Sequence, residues 1–83
     1  MNFRAEIDVM PHKELLDPQG KAVAHGLQKM GFESVTEVRV GRHITLKVTA
    51  KTEKEAKVIV EDTCKKLLAN AIMESYVFSL QVL

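Results

Sequence analysis

Residues 16–20 read Leu16-Asp17-Pro18-Gln19-Gly20 and separate an alternating, strand-like opening from the first helical pattern. Asp17 and Pro18 predict a helix start. An N-cap carboxylate accepts hydrogen bonds from unpaired backbone N–H groups, and proline suits the first helical position because its missing donor is not needed there. Gly20 in the first turn costs roughly 1 kcal/mol relative to alanine. We therefore expect another group to use the space beside it.

The opening before this stretch has the period-2 pattern of a half-buried strand. Apolar residues alternate with charged ones in it: Phe3, Ala5, Ile7 and Val9 with Arg4, Glu6 and Asp8. Pro11 ends the strand, and residues 12–16 are predicted to be a connecting loop. Leu15 or Leu16 in this loop is expected to pack against the following helix as a hydrophobic staple.

The first helix is predicted from Pro18 to about Met30, with Gly31 as a left-handed C-terminal stop. One side of this helix is apolar. It consists of Ala22, Val23, Leu27 and Met30.

Residues 35–50 keep their apolar side chains at even positions over most of their length. A single strand of that length is unusual in a small domain. Gly41-Arg42-His43 offers a break, and a three-residue loop there pairs Val40 with Ile44 and keeps the apolar face intact. We expect this hairpin, and a bulged bend in one long strand is the alternative.

A capping box predicts a second helix, because Thr52 is followed three residues later by Glu55. This helix is expected to run from Glu53 to about Ala69, with Asn70 in the terminating left-handed position. A last strand follows, and its apolar positions are Tyr76, Phe78, Leu80 and Val82.

The element order is therefore β-α-β-β-α-β in a single domain over residues 1–83. Short connections and right-handed crossovers favour an α+β, two-layer, ferredoxin-like architecture with a four-stranded antiparallel sheet and both helices on one face. The bare face of the sheet, with extra apolar residues from the last strand, is then expected to need a partner.

Composition narrows the classes of function. Twelve Lys and Arg against eleven Asp and Glu leave no basic excess, so nucleic-acid binding is not expected. No apolar run reaches transmembrane length and the opening lacks the core of a signal peptide, so we expect a soluble, cytoplasmic protein without membrane association.

A domain of 83 residues has a thin core, and its single cysteine excludes an internal disulfide. Oligomerisation is the expected source of extra stability.

No complete active site is evident. His12, His25 and His43 have no ligand-like spacing, and Cys64 falls in an apolar helical pattern. The best candidates for recognition are Arg39 and Arg42, which flank Gly41, because guanidinium groups bind carboxylates and phosphates in fixed geometry. Exposed charges at a hairpin tip would explain them equally well.

Two other kinds of module share this element order. An RNA-recognition module would need aromatic residues on the central strands, and residues 38–46 supply none. A regulatory module that binds a small ligand at a subunit interface remains compatible with the order.

Three motifs carry a resemblance to a known family. They are residues 16–20 with Ala22 and Val23, residues 38–42 (VRVGR), and Cys64 with residues 67–70 (LLAN), Glu74 and Tyr76. Over its whole length the chain resembles PurS, the small subunit of phosphoribosylformylglycinamidine synthase.

The resemblance implies a non-catalytic subunit of a purine-biosynthetic ligase. PurS subunits work with a large synthetase subunit (PurL) and a glutaminase subunit (PurQ), join the two and support ammonia transfer. The complex uses ATP, Mg and glutamine, and this subunit is expected to bind none of them itself. Self-association to a dimer or tetramer is also implied.

The matched turn and hairpin are the candidate partner contacts, namely Asp17, Pro18, Gln19, Gly20, Arg39, Gly41 and Arg42. Gly20 is expected to leave room for a partner subunit, so that Gly20→Leu weakens assembly more than folding. Arg39→Ala with Arg42→Ala is expected to lower glutamine-dependent activity without unfolding the domain.

Overall fold

The computed structural model describes residues 1–13, 17–70 and 72–83. The elements in chain order are β1 (Asn2–Pro11), α1 (Pro18–Lys29), β2 (Arg42–Thr49), α2 (Glu53–Thr63), a π-helical turn (Cys64–Leu68) that continues α2, and β3 (Glu74–Val82). The predicted staple by Leu15 or Leu16 falls outside the described residues.

The sheet has β1 in the centre, flanked by β2 and β3, and both neighbours run antiparallel to β1. In its register Ile7 lies opposite Ile44 on β2 and opposite Phe78 on β3. The period-2 pattern therefore predicted the central strand correctly. The regular alternation of apolar and polar residues in β1 fixes the register of the sheet. A slip of one residue would turn every apolar side chain of the strand to the other face.

The predicted fourth strand is not formed in the described part of the chain, where the sheet has three strands. Residues 35–40 do not form a strand, and the predicted pairing of Val40 with Ile44 does not occur, because Ile44 pairs with Ile7. The physical reason is that Val40 donates its N–H to the side chain of Asp17 instead of to a strand. Both the three-residue hairpin and the bulged long strand are therefore wrong for this structure.

The core lies between one face of the sheet and α2. Four side chains of β1 are fully buried there, and α2 contributes three more at four-residue spacing. These residues are Phe3, Ala5, Ile7 and Val9 from β1, and Ala56, Val60 and Cys64 from α2 and the turn after it. Spacing of four residues places side chains on one face of a helix.

Only α2 covers the sheet, whereas α1 makes no extensive contact with any strand among the described residues. The prediction that both helices pack on one face is therefore wrong. The contacts of α1 are with residues 35–40 instead, as Gln28 shows by donating its side-chain N–H to the carbonyl of Val35. Val23 and Met30 on its apolar side remain 44% and 73% exposed. The molecule is accordingly elongated, with extents of 52 × 26 × 14 Å.

The face of the sheet opposite α2 is mainly polar. Thr45 and Ser79 lie opposite Glu6 on this face, and His43 lies opposite Asp8. Val77 of β3, at 68% exposure, and Met10 of β1 are apolar residues on this face. The expected apolar surplus of the last strand on this face is thus small.

The helix termini follow the sequence signals except at Asn70. Gly31 has the left-handed φ of 97° that the stop requires. Thr52 caps α2 by accepting a hydrogen bond from the N–H of Glu55 at 3.1 Å. Asn70 is not left-handed, since no non-glycine residue in the described ranges has positive φ; its side chain instead accepts the N–H of Ile72 at 3.0 Å. Neither helix in the described ranges combines the length and apolarity needed to cross a membrane.

Candidate partner-contact site

Asp17 connects the start of α1 to a distant part of the chain. Its Oδ1 accepts the backbone N–H of Gly20 at 3.0 Å, which is the predicted N-cap bond. Its Oδ2 accepts the backbone N–H of Val40 at 2.9 Å. The hydrogen bond from Gly20 and, with a smaller effect, the hydrogen bond from Val40 hold the pKa of the Asp17 carboxyl below its ordinary value. Both bonds favour the charged form of the carboxyl group.

Gly20 is buried, and a side chain there would collide with the chain itself. A Cβ at this position would lie 2.1 Å from the carbonyl oxygen of Val38 and 2.8 Å from Oδ2 of Asp17. The space beside the glycine is therefore used by the chain's own backbone. The reason proposed from the sequence, room for a partner subunit, is wrong.

Arg39 and Gly41 attach the same segment to the end of β1. The Nη2 of Arg39 donates a hydrogen bond to the carbonyl oxygen of Pro11. A Cβ on Gly41 would lie 2.1 Å from the sulfur of Met10 and 2.4 Å from the carbonyl oxygen of Val9. Glycine is needed at this position because two backbones approach each other closely.

Arg42 forms a two-pronged ion pair with Glu74 at the start of β3. Nη1 lies 2.7 Å from Oε2 and Nη2 lies 3.0 Å from Oε1. Nη2 also donates to the carbonyl oxygen of Leu68 at 2.8 Å, and Oε1 accepts the N–H of Asn70 at 2.9 Å. These bonds raise the pKa of Arg42 and lower the pKa of Glu74. The arginine expected at a hairpin tip thus joins β2 to the end of the α2 segment.

The two predicted motifs meet in one groove of about 520 Å³. Its lining includes five of the seven predicted contact residues, together with Glu74, the ion-pair partner of Arg42. The lining residues are Pro11, Asp17, Pro18, Gln19, Val40, Gly41, Arg42 and Glu74. The other two predicted residues, Gly20 and Arg39, line a second groove of about 490 Å³ that shares Asp17 with the first. Sequence reasoning treated the motifs separately and missed Glu74, although the unpaired guanidinium of Arg42 was a signal that a carboxylate should be near.

The groove has a fixed wall and an exposed rim. Asp17 and Arg42 are engaged with other residues of the chain, so their polar atoms hold the groove in shape. Pro18 and Gln19 are exposed at the rim, and no hydrogen bond joins the side chain of Gln19 to another described residue. The arrangement therefore combines a preformed groove with the exposed side-chain amide of Gln19, which could bind a partner group.

Cys64 and Tyr76 are titratable groups outside the groove that are engaged in packing or pairing. Burial raises the pKa of the Cys64 thiol, which lies in the core. The Tyr76 hydroxyl donates to Oε1 of Glu61 at 2.5 Å, and this bond raises the pKa of Tyr76 to about 12. Within the described ranges, no group of three or more His, Cys, Asp or Glu side chains is placed to hold a metal ion.

The fold defines a small α+β domain, with one helix packed on an antiparallel sheet and a second helix that is held apart from the sheet. The family model described as PurS: Phosphoribosylformylglycinamidine (FGAM) synthase matches residues 4–82. The chain belongs to the PurS family.

Related proteins and solved structures agree with this assignment. The phosphoribosylformylglycinamidine synthase subunit PurS from Synechocystis sp. is 37% identical over 82 residues, which is 99% of this chain and 82% of that protein. The structure of PurS from Bacillus subtilis is 34% identical, with a TM-score of 0.85 over 96% of this chain and 99% of that one. A chain of the PurLQS structure from Thermotoga maritima is 30% identical, with a TM-score of 0.89 over 98% of this chain and 99% of that one. The resemblance carried by the three sequence motifs is confirmed.

Proposed function

We propose that the chain is the non-catalytic accessory subunit of a phosphoribosylformylglycinamidine synthase in de novo purine biosynthesis. It joins an ATP-dependent synthetase subunit (PurL) to a glutaminase subunit (PurQ) and supports transfer of ammonia between them. The observation that carries this proposal is the end-to-end likeness to a chain of PurLQS from Thermotoga maritima, at a TM-score of 0.89. Likeness over nearly the full length of both chains supports a shared role as a whole subunit.

The groove between the start of α1 and residues 41–42 is the proposed contact with a partner subunit. Its polar wall is already ordered by the bonds of Asp17 and Arg42, so binding there would cost little additional ordering. The exposed Gln19 supplies a hydrogen-bonding side chain that is not engaged with a described residue.

ATP, Mg and glutamine are proposed to be used by the partner subunits in the cytoplasm, with none bound by this chain. Homo-oligomerisation is proposed as well. Large apolar side chains outside the core support it, since Met30, Leu67 and Ile72 are 73%, 81% and 86% exposed.

Gel filtration with PurL and PurQ subunits, in the presence of glutamine and ADP, tests the proposal. The chain is expected to co-elute with both subunits as one complex. Elution of the folded chain apart from both of them, with and without nucleotide, would contradict the proposal. Stabilisation of the chain by an amino acid would then point to the regulatory module that binds a small ligand.

A further inference from the structure

The second groove, of about 490 Å³, lies between the first half of α1 and residues 36–39. Lys13, Lys21 and Glu37 line it, and all three residues are exposed. No hydrogen bond or ion pair joins any of these side chains to another residue in the described ranges. The groove therefore carries charged groups that are available to a ligand.

Two small residues of α1 leave room for this groove. Gly20 and Ala24 both line it, and their spacing of four residues places them on one face of the helix. The carbonyl oxygen of Val38 lies close to Gly20, only 2.1 Å from where a Cβ would be. Asp17 fixes the same segment to α1 by accepting the backbone N–H of Val40. Because both walls are held together in this way, the groove is formed before a ligand binds, which lowers the ordering cost of binding.

The charges of the groove favour an anionic ligand. Asp17 lines it as well, but both of its carboxylate oxygens already accept backbone N–H groups and cap α1. Arg39 spends one of its five N–H donors on a backbone carbonyl, which leaves others. Three cationic side chains, those of Lys13, Lys21 and Arg39, therefore line the groove with one unengaged carboxylate, that of Glu37. The surplus of two positive charges matches a phosphate monoester, which carries about −1.5 to −2 charge at pH 7.

The wall formed by residues 36–39 indicates what the phosphate is attached to. Thr36 and Glu37 supply hydrogen-bond acceptors there, so the ligand needs donors beside its phosphate. No Phe, Tyr or Trp is among the described residues that line the groove, so a nucleobase would find no aromatic surface on which to stack. Hydroxyl groups supply donors without a need for stacking.

We propose that the second groove binds a sugar phosphate. Lys13, Lys21 and the remaining donors of Arg39 hold the phosphate, since guanidinium and ammonium groups both bind phosphate oxygens. Glu37 accepts hydrogen bonds from the sugar hydroxyls and repels inorganic phosphate, which cannot offset the repulsion with such bonds. The proposal concerns the chain alone and does not depend on the proposed role in the synthase.

NMR titration of the full chain with ribose 5-phosphate tests the proposal. The amide signals of Lys21, Ala24 and Thr36 are expected to shift and to saturate below about 10 mM ligand. Ribose lacks the phosphate and should leave these signals in place. Inorganic phosphate should shift the same signals with an affinity lower by about tenfold, because it lacks the hydroxyl groups that bind Glu37.

Lys21→Gln tests the cationic side of the groove. It is expected to weaken binding of ribose 5-phosphate about tenfold, since a charge-assisted hydrogen bond is lost. Lys29→Gln makes the same charge change on the same helix, at an exposed position outside the groove. It should leave the affinity within about twofold of the wild type. Lys13→Gln takes the place of Lys21→Gln if that variant does not fold.

Glu37→Gln tests selectivity. It is expected to tighten binding of inorganic phosphate and to reduce the preference for ribose 5-phosphate, because the repulsive carboxylate and the acceptor for the hydroxyl groups are lost together. Glu33→Gln, at an exposed position outside the groove, is the matched control and should keep the wild-type preference.

The proposal is overturned if ribose 5-phosphate causes no saturable shift, or if Lys21→Gln and Lys29→Gln weaken binding alike. Equal affinity for inorganic phosphate and ribose 5-phosphate, unchanged in Glu37→Gln, would mean an adventitious ion only and would equally overturn it. Co-elution of Lys21→Gln with PurL and PurQ subunits is a separate measurement, so a failure of this proposal is distinguishable from a failure of the proposed function.

Discussion

The carboxylate of Asp17 accepts the backbone N–H of Val40 at 2.9 Å, across 23 positions of sequence. The same carboxylate caps α1 through Gly20. One side chain therefore starts the first helix and fixes the segment before β2 against that start. This relationship explains why two short motifs, separated in sequence, line one groove.

The stabilising effect of Asp17 should depend on pH in the acid range. Its folded pKa is lowered, so its contribution to the free energy of unfolding is fully present above the ordinary value of 3.8 and is lost as pH falls through the lowered value. We expect Asp17→Asn to reduce the urea midpoint at neutral pH, and the gap to the wild type to narrow in acid. Asp62→Asn, on the exposed face of α2, is the control and should reduce the midpoint less. An equal gap at all pH values would contradict this role.

Substitution by alanine should change the free energy of unfolding in opposite directions at two glycines of α1. Gly20→Ala forces a methyl group against the carbonyl of Val38 and should destabilise the fold by about 1–3 kcal/mol. Gly26→Ala has no atom within 4 Å of the added carbon, and it should stabilise the fold by up to about 1 kcal/mol through helix propensity. Urea unfolding of both variants measures the difference. A neutral Gly20→Ala would mean that the space is open to a partner after all.

The ion pair of Arg42 and Glu74 should order the end of the α2 segment. Arg42→Lys keeps the charge but loses the two-pronged geometry and the bond to the carbonyl of Leu68. We expect the amide of Asn70, which donates to Glu74, to exchange with deuterium faster in this variant. Lys47→Arg on the polar face of the sheet is the control, and Asn70 should exchange there at the wild-type rate. Unchanged exchange in Arg42→Lys would show that the loop is ordered without the pair.

His43 should titrate above its ordinary pKa. Its Nδ1 lies 2.6 Å from Oδ1 of Asp8 on the exposed face of the sheet, and this bond raises the pKa above 6.5. The stabilisation is present below 6.5 and is lost as pH rises through the raised value. NMR titration of the imidazole should show a midpoint above 6.5 that falls in Asp8→Asn and falls less in Glu6→Gln. A midpoint that does not respond to Asp8→Asn would exclude the pairing.

Local signals in the sequence were sufficient for much of the fold. The capping bonds of Asp17, Thr52 and Gly31 each join residues three positions apart, so these roles could be predicted from spacing. The alternation of residues 3–9 predicted the central strand because one of its faces is buried along the whole length.

The pairing of residues 35–40 and the packing of α1 were predicted wrongly because their partners are distant in sequence. Alternation shows that residues 35–40 can form a strand, but the bond from Val40 to Asp17 decides where they lie. The apolar side of α1 likewise does not specify the surface against which it packs. The site residues were predicted from motifs, whereas the pairing of Arg42 with Glu74 depends on tertiary structure.

The claim that the groove contacts a partner subunit is tested most directly by reconstituting the synthase with Gln19→Arg and with Gln81→Arg. Both residues are exposed, but Gln19 lies on the rim of the groove and Gln81 lies on the polar face of the sheet. We expect Gln19→Arg to lower the affinity for the PurL and PurQ subunits, and with it the glutamine-dependent activity, by about tenfold or more, and Gln81→Arg to leave both near the wild type. Wild-type assembly and activity with folded Gln19→Arg would contradict the claim.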